Sequence, residues 1–453
     1  MQALTTAQVL ALAPDPASAK AGQGLGNAAK WSGLGRDERS VWGECQGSAL
    51  YRTQADLSGP AFHCSCPSRK FPCKHGLGLL LVLANSAGRV PAAPPPAWVE
   101  EWTKKRDASA QKKAAPPPDP SPAGPEAARK QDADRQKRAA RREDRVRAGL
   151  AELQTWLGDL LRQGLASAKN HPARFYDAMA ARMVDAQAPG LARRLRQWPT
   201  LFASGDGWAD LALAEAGALQ CLLDAAARAD TLPAGLRASV RTAVGWSVGE
   251  QELLADPAAE RVTDRWQVVG QRVEEEDRLR TQRTWLAGET TGRAALCLSF
   301  AAGAQGALDL SLVPGTAVSA ELVFYPSAAP LRAFAGRREG DAKPFARPAA
   351  CADFGEATNR AAALFAADPW LERVPWCVHG CMPARQGERW TLRDGAGASV
   401  PLAREFADPW PLAAVSGGAP VTVFGEWNGR ALLPLGAFAE GRFVALGGGP
   451  RTA

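Results

Sequence analysis

The sequence lacks the short motifs that announce several common chemistries. It contains no G-x-x-x-x-G-K-[ST] loop, no H-E-x-x-H pair and no C-x-x-C dithiol. P-loop nucleotide binding, zincin-type hydrolysis and thioredoxin-like exchange therefore have nothing to rest on. Long hydrophobic runs are also missing. The longest, 77–84, is interrupted by Gly78 and falls far short of the ~20 residues of a membrane span. Residues 1–13 show no basic start followed by an apolar core, so no secretory signal is predicted. No internal repeat of fixed period is present. These absences predict a soluble, cytoplasmic protein with no membrane association and no small-molecule substrate.

What is present fits a globular chain of two or three domains: 453 residues, 46% hydrophobic and 22% charged. The net charge of +7 is unevenly spread. Residues 1–147 carry 23 Lys and Arg against 14 Asp and Glu, whereas 148–453 carry 31 against 33. The basic excess belongs to the N-terminal third, where it suits either a polyanion or a solvated tail.

Composition and periodicity predict an α+β fold in four parts. Residues 1–90 read as a small unit with a helix near 5–12, strands near 41–44 and 50–57, and an apolar helix over 74–87. Residues 91–136 are rich in Pro, Ala and Lys and predict an extended, disordered linker, with Trp98 and Trp102 docking back on the first unit. Residues 137–256 predict helices, from Leu150, Leu153, Leu157, Leu160 and Leu161 and from Phe175, Met179 and Met183. Residues 257–453 predict a β-rich α+β domain, with strands near 265–273, 281–287, 293–301, 307–313 and 319–325, a helix near 356–367, and later strands near 389–393, 421–427 and 442–446.

Nine cysteines in a long chain of this kind suit a reducing compartment. Three of them, Cys64, Cys66 and Cys73, fall within ten positions and are followed by His75, one of only four histidines. Zinc takes thiolate sulfur and imidazole nitrogen in a tetrahedron, and two close ligand pairs joined by a short loop can close such a site. Pro67 and Pro72 stiffen the loop, and the second pair opens the apolar helix, where the helix N-terminus favours thiolate charge. The site is predicted to be structural: four protein ligands leave no position for water, and no glutamate adjoins them. The alternative is three reduced core thiols. Arg69, Lys70 and Lys74 either moderate the formal −1 of a three-thiolate zinc centre or contact a polyanion such as DNA.

The pattern C-x-C, six residues, C-x-H resembles the SWIM zinc finger. Val41-Trp42-Gly43-Glu44-Cys45 and the 64–75 stretch are similar to bacterial SWIM zinc finger family proteins. The match is tight over about residues 30–85; further on, Trp285-Leu286-Ala287-Gly288-Glu289 is the one quotable stretch. The resemblance implies zinc as cofactor and binding of protein or DNA. It also implies work alongside AAA-type ATPases and von Willebrand-type metal-binding partners.

Other candidates read more simply as structure. Cys377, His379 and Cys381, with Cys351, form a possible second metal set, but alternate strand residues would crowd one ion and no second pair is near. Gly245-Trp246-Ser247-Val248-Gly249 fits the G-x-S-x-G pattern, yet follows a predicted helix rather than a strand. Gly22, Gly24 and Gly26 have no strand leading into them. His63 adjoins the ligands but is out of pattern. Fifteen tryptophans, Trp31, Trp42, Trp98 and Trp102 among them near the finger, either pack or stack on single-stranded bases. The Lys/Arg-rich stretch 129–147 is either a solvated helix with paired charges or a polyanion contact. Together these readings predict a non-catalytic zinc-binding protein acting as a protein-interaction scaffold, with zinc-dependent DNA binding as the alternative.

Overall fold

The computed structural model describes residues 6–14, 16–57, 61–68, 70, 72–114, 125–276, 279–302, 308–309, 311–345, 347–387, 389–446 and 451–452. The N-terminal unit contains helices α1 (Thr6–Ala11) and α2 (Pro16–Gln23). An antiparallel sheet in sequential order follows: β1 (Trp31–Arg36), β2 (Ser40–Gln46), β3 (Leu50–Asp56) and β4 (Ala61–Cys64). Helix α3 (Lys74–Asn85) completes it. Leu77 and the run 79–83 are buried all round that helix, with α1 and α2 on one side and the sheet on the other. A helix apolar on every face has to lie in a core, and each of its leucines stabilises the unit by ~1.5–3 kcal/mol. α2 can approach closely because the contact positions are glycines. A Cβ on Gly22 would lie 2.7 Å from Leu77 Cβ, and one on Gly78 would lie 2.6 Å from Leu25 Cβ. The glycine cluster of 22–26 therefore serves packing.

The stretch 91–136 departs from the expected extended linker. Helix α4 (Ala97–Ala114) occupies its first part and α5 (Pro125–Arg162) begins inside it. The prolines explain the pattern: they fall outside the helices or, as Pro125, at the first helical position, where a missing N–H costs nothing. Between them lie good helix formers, with Glu100–Lys104 and Glu101–Lys105 pairs one turn apart. Trp98 docks as expected, with the Arg52 guanidinium 5.9 Å from its ring centre. Trp102 instead meets Arg106 of its own helix. Arg106 and Arg39 both pair with the fully buried Asp56, at 3.3 and 3.0 Å, and Arg39 also holds Asp107 at 2.7 Å.

The helical region continues with α6 (Leu165–Lys169), α7 (Ala173–Asp185), α8 (Pro189–Phe202), α9 (Trp208–Ala227), α10 (Ala234–Val244) and α11 (Glu250–Ala255). Leu153, Leu157 and Leu160 of α5 meet Tyr176, Met179 and Met183 of α7 in one core, joined by Trp198 and the inner face of α9. This is the packing that the apolar spacing predicts.

Two antiparallel sheets form the C-terminal part. The first runs β7-β6-β5-β8-β9, from β5 (Arg261–Glu276), β6 (Leu279–Gly288), β7 (Ala294–Ala302), β8 (Thr316–Phe324) and β9 (Ala333–Pro344). Helix α12 (Phe354–Ala367) follows, its first turn capped by Asp353, whose carboxylate accepts the Glu356 N–H at 2.8 Å. The second sheet runs β12-β11-β10-β13-β14-β15. Its strands are β10 (Val374–Gln386), β11 (Arg389–Arg393), β12 (Ser399–Pro401), β13 (Val421–Trp427), β14 (Leu432–Ala439) and β15 (Arg442–Ala445), with α13 (Trp410–Ser416) before β13. A short β16 (Arg451–Thr452) adds to β5 in parallel. The sheets share a core containing Trp285, Trp376, Phe424 and Leu435, and Gly270 lets them close: a Cβ there would lie 2.6 Å from Phe424 Cδ1. Residues 308–309 and 311–313, expected as strand, form none; Asp309 instead accepts the Ser311 N–H at 2.9 Å and turns the chain.

The candidate metal centre

Local structure brings the four predicted ligands together. Cys64 ends β4, and Cys66 lies in the turn that leaves it. That turn is tied to β3, because the Ser65 N–H donates to Arg52 O and Ser65 Oγ accepts the Arg52 N–H, both at 3.0 Å. Cys73 is the N-cap of α3 in extended conformation, and His75 is the second residue of that helix. The arrangement needs an N-cap two residues before the imidazole, which is what C-x-H at a helix start supplies.

The ligand atoms of Cys64, Cys66, Cys73 and His75 all lie within 4.8 Å of one another. His75 Nδ1 is 3.7 Å from Cys64 Sγ and 4.0 Å from Cys73 Sγ. Zn–S bonds of ~2.3 Å and Zn–N bonds of ~2.0 Å in a tetrahedron place sulfur and nitrogen about 3.6 Å apart. The donor set and its spacing thus fit zinc, bound through Nδ1. Cys73 and His75 are buried, while Cys64 and Cys66 are partly exposed. The Tyr51 ring covers His75 at 5.0 Å between centres.

The protein also supplies an outer layer of donors. The backbone N–H groups of Cys66 and Ser68 favour thiolate at Cys64 and Cys66 respectively. Thr53 Oγ1 lies 3.2 Å from Cys64 Sγ. Hydrogen bonding from Cys73 brings the Cys64 thiol down to about 3 against the opposing effect of burial, with His75, Thr53 and the Cys66 N–H adding to it. Cys73 is pushed up, because it holds the proton that Cys64 shares and is itself buried; burial also raises Cys66. Metal binding has to displace the protons on those two thiols.

The remaining candidates are placed as follows. His63 precedes Cys64 on β4, is exposed, and so points to the opposite face from the ligands. Lys70 and Lys74 are exposed on either side of Cys73; Arg69 lies outside the described residues. Cys351, Cys377, His379 and Cys381 are adjacent through their backbones, with Cys351 N–H donating to Cys377 O at 2.9 Å and His379 N–H to Cys351 O at 3.0 Å. Their ligand atoms do not gather as a metal set, and His379 Nδ1 meets Thr422 Oγ1 at 2.8 Å. Among the described residues the finger's four are the group that gathers metal-ligating atoms. Gly245 ends α10 in left-handed conformation, at φ 119°, so Ser247 follows a helix and the strand-to-helix turn of a nucleophile elbow is not formed. The part of the metal centre invisible in the sequence is Thr53, whose role comes from strand register: it stands opposite Cys64 in the β3–β4 ladder.

Comparison with known families agrees with this geometry. A SWIM zinc finger model matches residues 54–84, from β3 to the end of α3. A model described as a SWIM-associated four-helix bundle domain matches residues 141–244, from within α5 to the end of α10. The finger is legible in the sequence as a motif, whereas the second stretch shows only helical periodicity, because a bundle's signature is a spread of apolar spacings. No curated protein and no solved structure matches the chain.

Proposed function

We propose that this SWIM zinc finger chain is a non-catalytic recognition protein, in which a zinc-held finger and the helical and β-rich parts behind it present surfaces to protein partners in an intracellular complex. The observation that carries the reading is the closed donor set. Three sulfurs and one imidazole nitrogen converge with the spacing of a full tetrahedron, which favours a structural ion over one that activates water. The near balance of charge over 148–453 suits protein contacts. The partner classes the family resemblance implies are AAA-type ATPases and von Willebrand-type metal-binding proteins. The test is co-purification of the tagged full chain from its own cells, wild type beside Cys73→Ala. A member of either class retained by wild type and lost from the variant supports the scaffold reading; retention of neither sinks it.

A second reading is favoured by Lys70 and Lys74, both exposed and flanking Cys73. In it the finger and its basic flank bind DNA. Affinity would then fall steeply with salt, because phosphate contacts release counterions. Fluorescence anisotropy of labelled oligonucleotides against the full chain and a Lys70→Glu/Lys74→Glu variant decides it. Equal affinity for both proteins, with no salt slope, removes the DNA reading.

A further inference from the structure

Outside the finger, the helical region, the first C-terminal sheet with its β8–β9 connection, and the segment between α12 and β10 line a cleft of about 280 Å³. That is near the lower end of the ~300–1,000 Å³ typical of small-molecule sites. Helix α8 contributes Arg193 and Arg194, β6 contributes Arg283, the segment after β8 contributes Arg332, and the segment between α12 and β10 contributes Arg373. Among the described residues, two carboxylates, Asp368 and Glu372, join these five guanidiniums in the lining. Leu296, Leu298, Leu331 and Trp370 form apolar wall beside them.

The charges in this lining differ in how far they are already committed. Asp368 is buried and accepts the Ser239 hydroxyl at 2.6 Å and the Trp370 N–H at 3.2 Å. Glu372 is paired with Arg193 at 2.6 Å. Arg194, Arg283 and Arg373 are held from behind by Glu215, Glu426 and Glu405, none of which lines the cleft. Arg332 has no ion-pair partner among the described residues; its guanidinium lies 4.1 Å from the centre of the Tyr325 ring. Arg194, Arg283 and Arg373 are thus fixed and compensated from behind, and Arg193 by Glu372 within the lining, which leaves Arg332 as the lining guanidinium without a carboxylate among the described residues. A guanidinium without a carboxylate, over an aromatic ring and beside apolar wall, is suited to bidentate recognition of an oxyanion, carboxylate or phosphate.

We propose that this cleft binds a small organic anion, a phosphate or carboxylate head on a planar apolar body, with Arg332 as the main charged contact and Trp370 and the leucines against the ring. The proposal is independent of the zinc reading, since no described finger residue lines the cleft. Isothermal titration of the full zinc-loaded chain tests it with four probes: phenyl phosphate, benzoate, inorganic phosphate and phenol. Saturable binding of phenyl phosphate or benzoate is expected, the tighter of the two identifying the head group, with phosphate alone and phenol alone each roughly tenfold weaker or worse. Arg332→Met should weaken the preferred anion by roughly tenfold or more, and Arg332→Lys should retain part of the affinity. The Lys variant keeps the test decisive if the Met variant fails to fold. Absence of saturable binding by both ring-bearing anions overturns the proposal. So does unchanged affinity in a folded Arg332 variant, and inorganic phosphate binding as tightly as phenyl phosphate overturns the role of the apolar wall.

Discussion

Thr53 and Cys64 face each other across the β3–β4 ladder, and the threonine hydroxyl lies 3.2 Å from the cysteine sulfur. Sheet register thereby adds to the charge state of a metal ligand: after Cys73 and His75, the hydroxyl is one of the groups that favour thiolate at Cys64. Outer contacts of this kind commonly contribute about 10–100-fold to metal affinity. Thr53→Val keeps the shape and removes the donor. It should weaken zinc binding by roughly tenfold, while Thr53→Ser should stay close to wild type. Competition with a chromophoric chelator under reducing conditions measures both. Equal affinity in Thr53→Val would mean that the threonine hydroxyl contributes nothing to zinc binding.

Cys73 is a ligand at the N-cap position of α3, where its side chain makes no capping hydrogen bond. Cys73→Ala should therefore act through the metal site. The purified variant is expected to lose its zinc, roughly one equivalent per chain in wild type. Protection of α3 against hydrogen exchange should be lost with it, because binding energy and folding are coupled in such small units. The helical region has its own core around Leu157, Met183 and Trp198 and should keep its protection. Exchange followed by mass spectrometry separates the two regions. Loss of protection everywhere would show that the finger and the bundle fold as one unit.

Legibility in the sequence varied with the range of the signal. The ligands could be read because four residues at fixed spacing carry the whole pattern, and α3 because its apolar run begins at the last ligand. Strands β2, β3, β6 and β13 were visible as local β-branched or aromatic runs. Strands β9, β10 and β14 were not: β9 carries Arg338, Glu339, Asp341 and Lys343, and β10 and β14 contain Pro375, Pro383 and Pro434. Their pairing comes from neighbours distant in sequence, such as Pro375 opposite Glu426. Composition was also misleading over 97–114, where flanking prolines suggested an extended linker although the segment between them is rich in helix formers. Nothing local marks Thr53 or the arginine-lined cleft, since both depend on elements brought together only by the fold.

The close approach of α2 and α3 gives a stability prediction. Alanine is favoured over glycine in a helix by about 1 kcal/mol, so Gly78→Ala would stabilise an isolated α3. In the folded unit the new methyl would meet Leu25 Cβ at 2.6 Å and the Leu25 carbonyl carbon at 3.3 Å, atoms that cannot swing aside. Overpacking of this kind costs roughly 1–3 kcal/mol, which outweighs the helix gain. A lower thermal midpoint for the finger is expected, read from the exchange protection of 77–83. A raised midpoint would show that Leu25 and the loop around it yield easily.

Glu426 is fully buried between the two sheets, yet it is ionised by its surroundings. Arg283 Nε reaches one oxygen at 2.9 Å and Trp285 Nε1–H donates to the same oxygen at 2.8 Å, while Arg272 Nη2 reaches the other at 2.9 Å. Burial pushes this carboxyl up, but Arg283 and Arg272, with the Trp285 hydrogen bond, outweigh it and hold Glu426 below the usual glutamate range. A depressed folded value means that the stabilisation is complete above the unfolded value, about 4.3, and is lost as pH falls through the lower folded value. The sheets should therefore hold at pH 5 and loosen only in stronger acid, with the Trp285 indole N–H resonance shifting as the carboxyl takes its proton. Glu426→Gln should remove that shift and destabilise the sheets at neutral pH, by up to the ~3–5 kcal/mol that breaking a buried pair costs. Two-dimensional NMR of the tryptophan side chains across pH 3–7 reads the local event directly. An indole signal that titrates identically in wild type and Glu426→Gln would place the acid-sensitive group elsewhere.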